Sequence, residues 1–158
     1  MSEQFFSYKT RGNVSPQGKQ KVFVCGIKED IQLYLDGIAD DILKLNDCAI
    51  WYMDPEKEYD DETLLSLIDG ITLFVFILTN RLLFSDDPLI RSILSFAKDN
   101  CRAILPIKTE SIDDNQFNEI FDSANYLDKF AEDPTAVRYD EKLRVFLSNV
   151  LVSEALAI

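Results

Sequence analysis

Acidic side chains supply the first candidates for chemistry. The segment Asp54-Pro55-Glu56-Lys57-Glu58-Tyr59-Asp60-Asp61-Glu62 holds six carboxylates and one Lys. Asp54, Glu56, Glu58 and Asp60 alternate as the oxygen ligands of an EF-hand calcium loop do. Tyr59 stands where that loop needs Gly for its sharp turn, and Leu65 where it needs a closing acid. A solvated acidic loop accounts for the segment better than a metal site does. The chain has no His, which removes Ser-His-Asp and Cys-His mechanisms. Cys25, Cys48 and Cys101 are too widely spaced for a zinc pattern. Each borders an apolar run, so they are expected as buried, reduced thiols of a cytoplasmic protein. No metal ligand and no catalytic residue is assigned.

The element that must position such residues is the run Ile71-Thr72-Leu73-Phe74-Val75-Phe76-Ile77-Leu78-Thr79. It has no charge, no Gly and no Pro, and it does not alternate apolar with polar. A β-branched and aromatic run of this length, with Gly70 before it and Asn80 after it, predicts a strand buried on both faces. Such a strand belongs in a parallel sheet covered by helices on both sides. The other elements follow in alternation. Lys21–Gly26 and Cys48–Met53 are strands, and between them Ile31, Leu35, Ile38, Ile42 and Leu45 mark a helix opening at Glu29 and Asp30. Thr63–Asp69 predicts a short helix with Leu64, Leu65 and Ile68 inward, closed by Gly70. Asp87-Pro88 starts a further helix with Ile90, Ile93, Leu94 and Ala97 inward. Arg102–Ile107 is a strand, 115–122 a short helix, and Tyr126-Leu127 a brief edge strand. Asp140 caps a last helix carrying Leu143, Phe146, Leu147, Val150 and Leu151. The alternation predicts an α/β, flavodoxin-like three-layer sandwich. Its central parallel sheet has five strands in the order 2-1-3-4-5.

Residues 1–20 read as a loop-like leader before a domain spanning 21–158. The apolar end at Leu156 and Ile158 reads as part of a longer protein. The net charge of −12 is unevenly placed, with +3 on residues 1–21. A chain this acidic repels nucleic acid and anionic membranes. No stretch is long enough to cross a bilayer, and no apolar region follows the basic residues as in a signal peptide.

Ligands in such sheets bind beyond the carboxyl ends of the strands. That places Gly26, Ile27, Lys28, Asn80, Arg81 and Asp87 at a ligand cleft. The single Gly26 does not make a dinucleotide fingerprint. Cys25-Gly26 and Thr79-Asn80 stand where a phosphate-accepting receiver would carry acids, and Lys108 alone does not restore that pattern.

Several segments resemble the Toll/interleukin-1 receptor (TIR) domains. Val22-Phe23-Val24-Cys25-Gly26-Ile27-Lys28-Glu29-Asp30 is similar to the family's opening box, and Ala49-Ile50-Trp51-Tyr52-Met53-Asp54 to its second strand. Leu78-Thr79-Asn80-Arg81-Leu82-Leu83-Phe84-Ser85 is similar to the segment before the third helix, and Ile104-Leu105-Pro106-Ile107 to the fourth strand. The string Tyr8–Gly18 and the tail around Tyr139–Leu143 are similar to the N-terminal TIR-like module of some larger bacterial proteins.

The resemblance implies either NAD cleavage or protein-protein interaction in signal transduction or defence. Members that cleave NAD use a Glu on the helix that here begins at Pro88. No Asp or Glu occurs from Pro88 to Lys98, and Arg91 falls near the corresponding position. A positive charge there opposes an oxocarbenium ion. The crevice beyond Phe74 and Phe76 is therefore expected to lack an acid suited to glycosidic cleavage. The expectation is a module without cofactor or catalysis; the alternatives are an NAD-cleaving enzyme and a nucleotide-binding sensor without turnover, with NAD or a derivative as ligand. Its interaction surface would comprise Asp54, Glu56, Glu58, Tyr59, Asp60 and Arg91. Its partners would be other TIR-like or adjacent domains of the same protein, or a second copy. The acidic loop calls for a basic partner surface, for which the leader is one candidate.

Overall fold

The structure is a computed structural model, and it describes residues 6–53, 62, 68–122, 126–129 and 139–151. The strands are β1 (Phe6–Thr10), β2 (Lys21–Cys25), β3 (Ala49–Met53), β4 (Leu73–Leu78), β5 (Ala103–Lys108) and β6 (Leu127–Asp128). The helices are α1 (Lys28–Leu45), α2 (Asn80–Leu83), α3 (Pro88–Asp99), α4 (Asp114–Phe121) and α5 (Tyr139–Val150). The sheet order is β1-β3-β2-β4-β5-β6. From β3 to β6 all neighbours are parallel. These five strands have the flavodoxin-like order expected from the alternation.

The central strand behaves as its composition requires. β4 pairs in parallel with β2 on one side and β5 on the other, and all six of its residues are buried. Its side chains alternate between two cores, as a period of two dictates. Phe74, Phe76 and Leu78 join α2, α3 and α4 on one face. Leu73, Val75 and Ile77 join α1 and α5 on the other. Phe76 meets Phe121 edge-on with centroids 5.4 Å apart, and Phe23 meets Phe74 at 6.1 Å. Each such buried ring contributes about 1.5–3 kcal/mol through water exclusion.

The sheet has six strands, not five. Residues 6–10, read as loop within the leader, form β1, which lies antiparallel on β3. The loop reading weighted Gly12, Asn13, Pro16 and Gly18, which do form the following turn, over the alternation of Tyr8 and Lys9. Tyr8 covers Trp51 at a centroid distance of 5.1 Å on one face. Lys9, on the other face, reaches Asp36 of α1 at 2.9 Å. The leader's bases are thus engaged by the α1 side of the molecule. Arg11 donates from Nε to the Leu43 carbonyl at 2.9 Å, and Lys19 pairs with Asp47 at 2.9 Å. The acidic loop proposed as a site for a basic partner lies largely outside the described residues.

Smaller differences have local causes. Cys25 and Cys48 are buried, but Cys101 is exposed in a left-handed turn after α3. Asp140 lies in the first turn of α5, which begins one residue earlier. Asp41, off the apolar stripe of α1, pairs with Lys129 at 2.6 Å. The helix expected over 63–69 and the tail through Ile158 fall largely outside the described residues. Among those described, no helix is long and apolar enough to cross a membrane.

Candidate functional site

The strand order reverses between β2 and β4, and both strands have their carboxyl ends at the same end of the sheet. A crevice at that reversal is where this architecture holds ligands. Gly26 leaves β2 there, because a Cβ at this position would lie 3.2 Å from Ile77 Cβ and 3.3 Å from Ile77 Cδ1. Ile27 is the N-cap of α1 with no side-chain cap bond, and Lys28 begins the helix. Opposite, Thr79 caps α2, whose first two residues are Asn80 and Arg81. Asp87 caps α3, its Oδ1 accepting from Leu89 N at 3.0 Å. All six residues expected at a cleft therefore lie on turns at one end of β2 and β4, or on the loop that follows.

A carboxylate not singled out from the sequence stands at this end of the sheet, in the first turn of α1. Asp30 is only 2% exposed. Its Oδ2 accepts from Thr79 Oγ1 at 2.6 Å, and its Oδ1 accepts from Arg81 at 3.0 Å. The Thr79 hydroxyl in turn accepts from Leu82 N at 3.1 Å. The Asp30 clasp thus joins the β2–α1 turn to the β4–α2 turn. Burial is the main influence on this carboxyl and raises its pKa above the ordinary 3.8, with Glu110 and Glu29 adding to the rise. Thr79 and Arg81 oppose it. Arg81 keeps its outer half in water, so it screens the buried charge only in part.

Asn80 fixes the next turn. Its backbone N–H donates to Glu110 Oε2 at 3.2 Å and its Nδ2 to the Ser111 carbonyl at 3.1 Å. Its Oδ1 accepts from Asp113 N at 2.9 Å. The tripeptide Thr79-Asn80-Arg81 therefore binds together the loops after β2, β4 and β5. Lys108, at the end of β5, is paired with Asp128 at 3.4 Å.

Sequence reasoning missed Asp30 as a site residue because acids in a first helical turn have a ready explanation in the helix dipole. The available signal was directional. First-turn side chains lean back toward the helix N-terminus, which here abuts the end of the sheet.

Arg91 lies on α3 and is spent on structure. Its guanidinium donates to the Leu83 carbonyl at 3.4 Å and the Ser85 carbonyl at 3.2 Å. Beside it, one face of α3 forms a groove of about 390 Å³ with Ser92, Ser95, Phe96, Asp99 and Asn100. Asp54, Glu56, Glu58, Tyr59 and Asp60 lie outside the described residues; β3, parallel to β2, ends at Met53. Asp87 stands close enough to Cys25 for its charge to add to the rise that burial imposes on that thiol. Among the described residues no group of three or more Cys, Asp or Glu side chains could hold a metal ion.

No family model and no curated protein matches the sequence. Among solved structures, the chain is similar to a flavo di-iron protein mutant from Thermotoga maritima, at 11% identity and a TM-score of 0.40. The alignment covers 86% of this chain, which spans 36% of the length of that one.

Proposed function

We propose that this chain is a TIR-like signalling or defence module that works by protein-protein assembly and not by cleaving NAD. The observation that carries the reading is how the acids near the crevice are employed. Both Asp30 oxygens are taken, one by Thr79 and one by the Arg81 guanidinium. Asp87 caps α3. An acid whose two oxygens already accept from a hydroxyl and a guanidinium is a poorer stabiliser of a cationic sugar than a free one. α3 offers Arg91, not an acid, beside them. The acidic segment from Asp54 to Glu62 then acts by meeting a basic surface on another domain or chain, since the leader's Lys9, Arg11 and Lys19 are engaged elsewhere.

Sedimentation velocity over a range of protein and salt concentrations tests this, run beside an assay for nicotinamide release from NAD. The full chain should associate with a second copy or with a basic partner domain. Salt and the combined change Asp54→Asn, Glu56→Gln, Glu58→Gln, Asp60→Asn should weaken the association. A monomer under all conditions that releases nicotinamide would overturn the reading.

A second reading has its own support. The charge of Asp87 reaches Cys25 at the end of β2, and Asp30 is bonded to Thr79 after the end of β4. An NAD nucleosidase using either acid would lose nicotinamide release in Asp30→Asn or Asp87→Asn.

A further inference from the structure

Phe84 is the most exposed aromatic side chain among the described residues, at 57%. A single exposed apolar residue is ordinary. The backbone beneath this one is not. Phe84 N donates to the Asn80 carbonyl at 3.0 Å and Ser85 N to the Leu82 carbonyl at 3.2 Å. The Leu83 carbonyl accepts from Gln116 Nε2 of α4 at 3.0 Å and from Arg91 of α3, and Arg91 also holds the Ser85 carbonyl. Asp87 N donates to Ser85 Oγ at 3.0 Å. Side chains from two other helices thus converge on the two carbonyls flanking Phe84, and its ring is left in water. An aromatic carried on a fixed backbone loses little backbone entropy when it is covered, which favours an interface anchor.

The surroundings select the partner. Asp86 and Asp87 follow in the chain, and both are exposed. The loop tied alongside through Asn80 and Gln116 adds exposed Asp113 and Asp114, with the partly buried apolar Ile112 between Ser111 and Asp113. Three bases at this end of the sheet are engaged, Arg81 with Asp30, Arg91 with backbone carbonyls and Lys108 with Asp128, and Lys28 stands exposed at the start of α1. A second copy of a chain at net −12 brings a like charge to this surface.

We propose that the Phe84 turn is a docking surface for a basic protein segment. An apolar side chain of that segment covers the Phe84 ring while its Lys and Arg side chains meet Asp86, Asp87, Asp113 and Asp114. The proposal rests on the assembly reading and adds to it a second face with an apolar anchor.

The probe is a set of labelled twelve-residue peptides titrated into the full chain. One carries Arg and Lys around a central Leu, one replaces that Leu by Ser, and one replaces the bases by Glu. Fluorescence anisotropy gives affinity, and amide shifts locate the contact. The basic Leu peptide should bind, with shifts at Phe84, Ser85 and Ile112. Its Ser and Glu counterparts, and the Phe84→Ser protein, should bind at least tenfold more weakly. Equal binding by Phe84→Ser overturns the docking surface, as does no binding of the basic Leu peptide at millimolar concentration. If only the four-residue change in the acidic loop weakens binding, the loop remains an interaction surface and the Phe84 proposal fails by itself.

Discussion

Replacing Asp30 by Asn should stabilise the protein at pH 7 by about 1 kcal/mol, or about 2–4 °C in Tm for a chain of this size. The ionised carboxylate gives up its hydration on burial, which costs several kcal/mol (roughly, after relaxation). It regains the bond from Thr79 at 2.6 Å and the bond from Arg81 at 3.0 Å. Bonds to a charged group are stronger than neutral ones by about 1–2 kcal/mol each, and the Arg81 share is discounted because its side chain is 53% exposed. The raised pKa says that burial wins. Asn keeps an acceptor for the Thr79 hydroxyl, and Arg81 can turn to water. Above 3.8 and up to its raised native pKa, Asp30 holds its proton in the folded state more than in the unfolded state. Its contribution to stability therefore falls as pH rises through that window, and the penalty is full above it. The advantage of the Asn variant should be largest at pH 7 and shrink toward pH 4. Urea unfolding followed by Trp51 fluorescence at several pH values measures it. A variant less stable than the parent at pH 7, or an advantage that grows on acidification, would refute the reasoning.

Other perturbations read different parts of the structure. Phe76→Ala opens a hole against Phe121 and should cost about 3–5 kcal/mol in urea unfolding. Gly26→Ala forces a Cβ against Ile77 and should cost about 1–3 kcal/mol by the same measurement. At pH 8, a thiol reagent should label Cys101 rapidly. Cys25 and Cys48, the latter pushed up to about 11 mainly by burial, should react only on unfolding. Two fast thiols per chain would contradict the packing.

Much of the architecture was legible because one run of residues is so constrained. Uncharged 71–79 reads better as a doubly covered strand than as a buried helix because it is short and bounded by Gly70 and Asn80, and the alternating elements then have one simplest order. β1 was not legible, because its five residues alternate without an apolar run and the turn signals after it dominate. The site was half legible. Gly26, Asn80 and Arg81 follow from strand ends and the switch-point rule. Asp30 does not, because the side chain crosses a gap to Thr79 and Arg81, some fifty positions away in sequence, and no local pattern encodes that meeting. Phe84 is likewise invisible in sequence, where it continues the apolar run Leu82-Leu83 that is itself buried.

The antiparallel ribbon laid on β3 bears on where this molecule can be cut. A recombinant piece begun at Lys21 would strip the cover from the Ala49–Met53 ladder and bare Trp51. An unprotected rim of that kind recruits strands from neighbours and aggregates. Residues 6–10 thus belong to the smallest unit able to stay dispersed, although every crossover in the fold comes after them.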